Sequence, residues 1–159
     1  MHARACRGFT LIELLVSLAI LALLASMTLP LAQVAVQRSK ETELRVALRE
    51  IRTAIDAYKR AADEGRIARD LKRTGYPQSL NELVEGVEDL HHPKKAKIYF
   101  LRGLPRDPMN VDPTAADADT WLQRAYASPP EDPKSGEDVY DVRSRSRGIG
   151  LNGVAYARW

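Results

Sequence analysis

The chain has 159 residues, with 24 Lys plus Arg against 21 Asp plus Glu and a formal net charge of +3. That length holds one globular domain and short extensions, not two domains. Without the N-terminal Arg4 and Arg7 the charges almost balance, which argues against nucleic acid as a partner, and Cys6, the single cysteine, excludes an intrachain disulfide and a thiolate metal site.

In chain order, Met1 to Gly8 read as a short basic leader. From Leu14 to Leu29 nothing is charged, and only Ser17, Ser26 and Thr28 are polar. Counted on to Ala32, this run approaches the roughly 20 residues that a helix needs to cross a bilayer core. It predicts a membrane-spanning helix, with the leader in the cytoplasm and the rest of the chain outward. A secretory signal would be cut after the run; the cut favoured here precedes it, between Gly8 and Phe9. Glu13 borders the run, where a carboxylate in hydrocarbon costs several kcal/mol unless paired. A cut before Phe9 creates an amine that Glu13 of a neighbouring copy can meet, and such a pair would fix axial register. The bland alternative is a charge that snorkels to the headgroups from one helix end.

The stretch Gly8-Phe9-Thr10-Leu11-Ile12-Glu13, after a basic leader and before an apolar run, resembles the N-terminal signature of type IV pilins and type II secretion pseudopilins. The resemblance implies that a prepilin peptidase cleaves after Gly8 and methylates Phe9. It also implies a pilin-like α+β fold: a long N-terminal helix, membrane-spanning in its first half, packed on a small domain with a short helix and a small antiparallel sheet. The corresponding divisions are a leader over 1–8, a transmembrane and assembly half over 9–32, an amphipathic half over 33–64 and a globular region over 65–159.

Pro30 interrupts the apolar run near its end and predicts a kink or a loosened turn. By resemblance, Pro30 joins Phe9 and Glu13 as an assembly residue. Leu44, Leu48, Ile51, Ile55, Tyr58 and Ala62 then recur at helical spacing, with Arg38, Lys40, Glu41, Arg45, Arg49, Arg52, Asp56 and Arg60 assigned to the opposite face. Gly65 is the expected helix stop. Gly75-Tyr76-Pro77 resembles a pattern of the same family. Ser79 with Glu82 predicts a capping box before a short helix through Leu83 and Val84. His91 and His92 read as an exposed polar loop rather than a metal site. Ile98 to Leu101 is a candidate strand. Leu104-Pro-Arg-Asp107-Pro-Met109 resembles a segment of major type II pseudopilins, with methionine where tryptophan is usual, and its prolines hold an extended loop. Two further strands are expected at Trp121–Ala127 and Val139–Val142, a turn at Asn152–Gly153, and a docked Trp159.

No phosphate loop, HExxH motif, nucleophile elbow or CxxC occurs, so the chain is not expected to be an enzyme. The resemblance implies a structural calcium ion in the C-terminal loop, near Asp138, Asp141, Ser144 and Asn152. Arg143, Arg145 and Arg147 oppose it, and the alternative is a loop fixed by hydrogen bonds and Arg–Asp pairing. No other cofactor is expected. The implied function is a structural subunit of the type II secretion pseudopilus, polymerising into a periplasmic filament that drives protein export. Its implied partners are further copies of itself, minor pseudopilins, the prepilin peptidase, an inner-membrane assembly platform and, before assembly, membrane lipid. The implied location is the inner membrane, then the periplasmic filament. The alternatives are a type IV pilin, a minor pseudopilin, or a competence-type pilin contacting DNA through Tyr140 and the three arginines.

Overall fold

A computed structural model describes residues 9–68 and 74–159, without the side chains of residues 27–31. One helix, α1, spans Leu11–Asp63. It ends as Gly65 implies. Gly65 takes φ +71°, its N–H donates to the Ala62 carbonyl at 3.1 Å, and the Arg66 N–H reaches the Ala61 carbonyl at 2.9 Å. These are the two bonds of a Schellman cap, which needs a left-handed residue at this point. The chain divides into two compact units, Met1–Ser39 and Lys40–Trp159.

In the first unit the sequence expectation is corrected. Among the described residues no helix is long and apolar enough to cross a membrane. The transmembrane half of the fold and the single-pass inner-membrane placement fall with it.

The second unit is built on the expected stripe. Leu44, Leu48, Ile51 and Ile55 are buried, with Ala47 and Ala54 between them, against Leu80, Leu83, Leu101, Trp121, Val139, Val142 and Tyr156. Ala61, Ala62 and Ile67 form a smaller cluster around the helix end, with Val87, Ile98 and Phe100 beside it. Two residues assigned to the outer face turn inward. Glu41 is only 3% exposed and accepts hydrogen bonds from the Leu151 N–H at 2.7 Å and the Tyr156 hydroxyl at 3.0 Å. Arg52 reaches across to the C-terminal segment. The stripe is therefore wider than its apolar members, because the chain end lies along its flank.

The short helix α2 covers Glu82–Glu85. The capping box does not form: Asn81 is the N-cap and makes no side-chain cap bond. The Glu82 carboxylate instead accepts from the Gln78 N–H at 3.1 Å and the Tyr58 hydroxyl at 3.1 Å, which ties the short helix to α1. Strands β1 (Val87–Glu88) and β2 (Lys97–Ile98) pair antiparallel. The loop between them is held by Asp89, which accepts from Arg66 at 2.8 Å and from the His91 N–H at 3.0 Å. The Arg66 hydrogen bond holds the Asp89 carboxyl below its ordinary value, against an opposing effect of burial. A depressed folded-state value means stability that is present above the unfolded pKa, about 3.9, and lost as pH falls through the folded value. Acid titration followed by NMR of the Leu90 amide, which donates to the Arg66 carbonyl at 2.6 Å, will show this loop intact at pH 5 and opening only below about pH 4. An Arg66→Ala chain will open at higher pH.

Strands β3 (Trp121–Arg124) and β4 (Asp141–Ser144) form the second antiparallel pair, with Trp121 opposite Ser144 and Gln123 opposite Val142. The last strand starts two residues later than its sequence suggests. Val139 lies before it, buried, with its N–H on the Pro77 carbonyl at 2.7 Å. Val142 and Ser144 face the core, as period-two alternation requires. Beyond β4 the chain turns at Gly150–Gly153, where the Gly150 N–H meets the Val154 carbonyl at 2.9 Å and Gly153 takes φ +77°. Tyr156 then enters the core, with Trp159 against it at 5.1 Å between ring centroids.

Candidate assembly and processing site

The N-terminal turn of α1 is capped from within. The Thr10 hydroxyl accepts the Glu13 N–H at 3.3 Å, and the Thr10 carbonyl accepts the Leu14 N–H at 3.1 Å. Thr10-x-x-Glu13 is thus a helix-start signature as well as part of a processing motif, a second reading that the sequence carried openly. Glu13 also sits in the first turn, where the helix dipole favours negative charge. Its carboxylate is exposed, and no protein group among the described residues bonds to it.

Beyond the cap the helix is apolar on every side. Phe9 is 71% exposed and Leu24 56%, and Leu11, Ile12, Leu15, Leu18, Ile20, Leu21 and Leu23 between them are exposed too. The hydroxyls in this stretch do not interrupt the surface. Ser17 donates to the Glu13 carbonyl at 2.7 Å and Ser26 to the Leu23 carbonyl at 2.7 Å, so both are turned back on the backbone. A helix that is hydrophobic all round belongs in the interior of something larger. Gly8, on the leader side of the expected cut, lies outside the described residues, as does the side chain of Pro30; the helix itself runs on through Pro30.

The candidate calcium residues are not brought together. Asp138 takes the Tyr126 N–H at 2.9 Å on one oxygen and the Thr74 hydroxyl on the other. Asp141 faces Arg52 at 2.8 Å and Arg124 at 3.8 Å. Ser144 is fully buried and donates to Asp107 at 2.6 Å. Asn152 accepts the Val154 N–H at 3.0 Å within its own turn. Among the described residues no group of three or more His, Cys, Asp or Glu is placed to hold a metal ion.

Asp107 is the residue whose role composition understated. It is 1% exposed, and its carboxylate accepts from the Ser144 hydroxyl and from the Met109 N–H at 2.8 Å. Its own N–H donates to the Thr120 hydroxyl at 3.2 Å. The Trp121 indole N–H donates to the Pro105 carbonyl at 2.8 Å, so both ends of the Leu104–Met109 segment are pinned to β3 and β4. The arginines weighed for DNA differ in their surroundings. Arg143 packs near Pro133 at 3.5 Å, Arg145 and Arg147 are exposed, and Tyr140 is engaged with Tyr76, Tyr126 and Arg124. The recess beside Trp159, about 580 Å³, is lined by Arg45, Arg49, Arg52 and Arg158 together with Thr53, Asp56 and Asn152.

No curated protein and no solved structure matches the chain. Residues 3–29 match the family described as the prokaryotic N-terminal methylation motif, which spans the cap, Glu13 and the exposed apolar helix. Among its described residues the chain carries neither catalytic motif nor metal centre, and its N-terminus carries a methylation motif consistent with pilin-like proteins.

Proposed function

We propose that this chain is a structural subunit of a type II secretion pseudopilus, cut between Gly8 and Phe9 by a prepilin peptidase, methylated on Phe9, and packed with copies of itself and with minor pseudopilins into a filament that drives protein export. The observation that carries the reading is the uncovered, wholly apolar helix that follows a capped turn with an unpartnered carboxylate. Side-by-side packing of such helices removes their surface from water, worth about 25 cal/mol per Å². Glu13 then enters an apolar interior and needs a cation, and the new Phe9 amine of a neighbour supplies it. The Leu104–Met109 segment, fixed through Asp107, favours the secretion-type subunit over a type IV pilin.

Filament yield from cells expressing Glu13→Gln tests the pairing. Glutamine keeps the Thr10 cap on the helix and loses only the dipole interaction of the first turn, about 0.3–1 kcal/mol, so a role limited to helix initiation predicts a near-normal yield. Pairing predicts a loss of at least about tenfold, since breaking a buried pair costs about 3–5 kcal/mol. Filaments of normal abundance from this variant would sink the pairing.

A further inference from the structure

Arg52 gathers oxygens from two distant parts of the chain. Its Nε donates to Asp141 Oδ1 at 2.8 Å. One terminal nitrogen donates both to the Val142 carbonyl at 2.9 Å and to the Trp159 main-chain oxygen at 2.7 Å. The second Asp141 oxygen faces Arg124 at 3.8 Å. One carboxylate and two main-chain oxygens form the kind of donor set that a hard divalent cation takes. Here a guanidinium occupies it, and its planar fork suits several oxygens at once. The side chains that would complete a calcium sphere point elsewhere: Asp138 to Thr74 and Tyr126, Ser144 to Asp107, Asn152 to its own turn. Arg143, Arg145 and Arg147 place further positive charge on the same segment, which repels a divalent ion. The residues present do not fit calcium.

We propose that the Arg52 guanidinium is the cation that closes the C-terminal segment onto α1, and that the Lys40–Trp159 unit holds its fold without divalent metal. Three ties act together along that seam. Glu41 holds Leu151 and Tyr156, Arg52 holds Asp141, Val142 and Trp159, and Arg45 lies over the Trp159 ring at 4.3 Å. An exposed ion pair alone contributes little; the fork to two main-chain oxygens is what makes Arg52 a clamp.

The test is thermal unfolding of the full-length chain in millimolar calcium chloride and in excess EDTA, together with a calcium-binding isotherm. The wild-type midpoint will be the same in both solutions, and calcium will show no saturable binding. Arg52→Met will lower the midpoint by at least about 5 °C, and calcium will not restore it. Arg52→Lys, which keeps the charge and loses the fork, will fall between. Failure of Arg52→Met to fold agrees with the clamp, and the wild-type titration then decides the metal question alone. A wild-type midpoint that rises with calcium, or an Arg52→Met chain as stable as wild type, overturns the proposal.

Discussion

Replacing Asp107 by alanine will lower the unfolding free energy of the Lys40–Trp159 unit by about 3–4 kcal/mol. The side chain is buried and joins two parts of the chain, the Pro-flanked loop and the end of β4. Truncation leaves the Ser144 hydroxyl and the Met109 N–H without their acceptor, and each buried unsatisfied group costs about 1–3 kcal/mol. Asparagine should lose less, about 1 kcal/mol, because one amide oxygen still accepts from Met109 and the Ser144 hydroxyl can rotate to accept from the amide. Urea unfolding of the two variants measures the difference. A loss under about 0.5 kcal/mol for the alanine variant, the range of an unremarkable surface change, would mean that Asp107 does not pin the loop.

Glu41→Ala is expected to cost about 2–3 kcal/mol, and its effect should be felt far from α1. Glu41 is the acceptor for the Leu151 N–H and the Tyr156 hydroxyl, and Arg45 lies 3.7 Å from its other oxygen. Without the carboxylate, the turn at Gly150–Gly153 loses its tie to the helix and the Tyr156 hydroxyl loses its Glu41 acceptor. Hydrogen exchange should therefore rise at Leu151 and along the segment to Trp159, while α2 keeps its protection. Glu41→Ala combined with Tyr156→Phe should cost less than the two single changes summed, by about 0.5–3 kcal/mol, as expected for groups in direct contact. Strict additivity would show that the two side chains act independently.

Much of this second unit was legible. The Leu44-to-Ile55 stripe, the Gly65 stop, the strand beginning at Trp121 and the Asn152–Gly153 turn each follow from local spacing or a single backbone requirement. Glu41 was legible and misassigned. It precedes Leu44 by three residues and Leu48 by seven, which places it on the buried stripe, but its charge argued for the solvent side. The partner that makes its burial tolerable is more than a hundred residues away, and helical periodicity says nothing about where that segment lies. Arg52 and Asp141, and Asp107 and Ser144, are hidden for the same reason. The candidate calcium residues were close in sequence, yet β4 alternates its side chains between faces and sends Asp141 and Ser144 to different neighbours. At the N-terminus the motif itself was plain, while the membrane span was not upheld. Hydropathy counted the run to Ala32, whereas among the described residues no helix is long and apolar enough to cross a membrane.

Intact mass of the protein recovered from its native host tests the central claim most directly. The account predicts a chain that has lost residues 1–8 and gained one methyl group, localised to Phe9 by fragmentation. A chain that keeps its first eight residues, or one cut beyond the apolar helix, would contradict it, since neither presents a Phe9 amine to the Glu13 of a neighbouring copy.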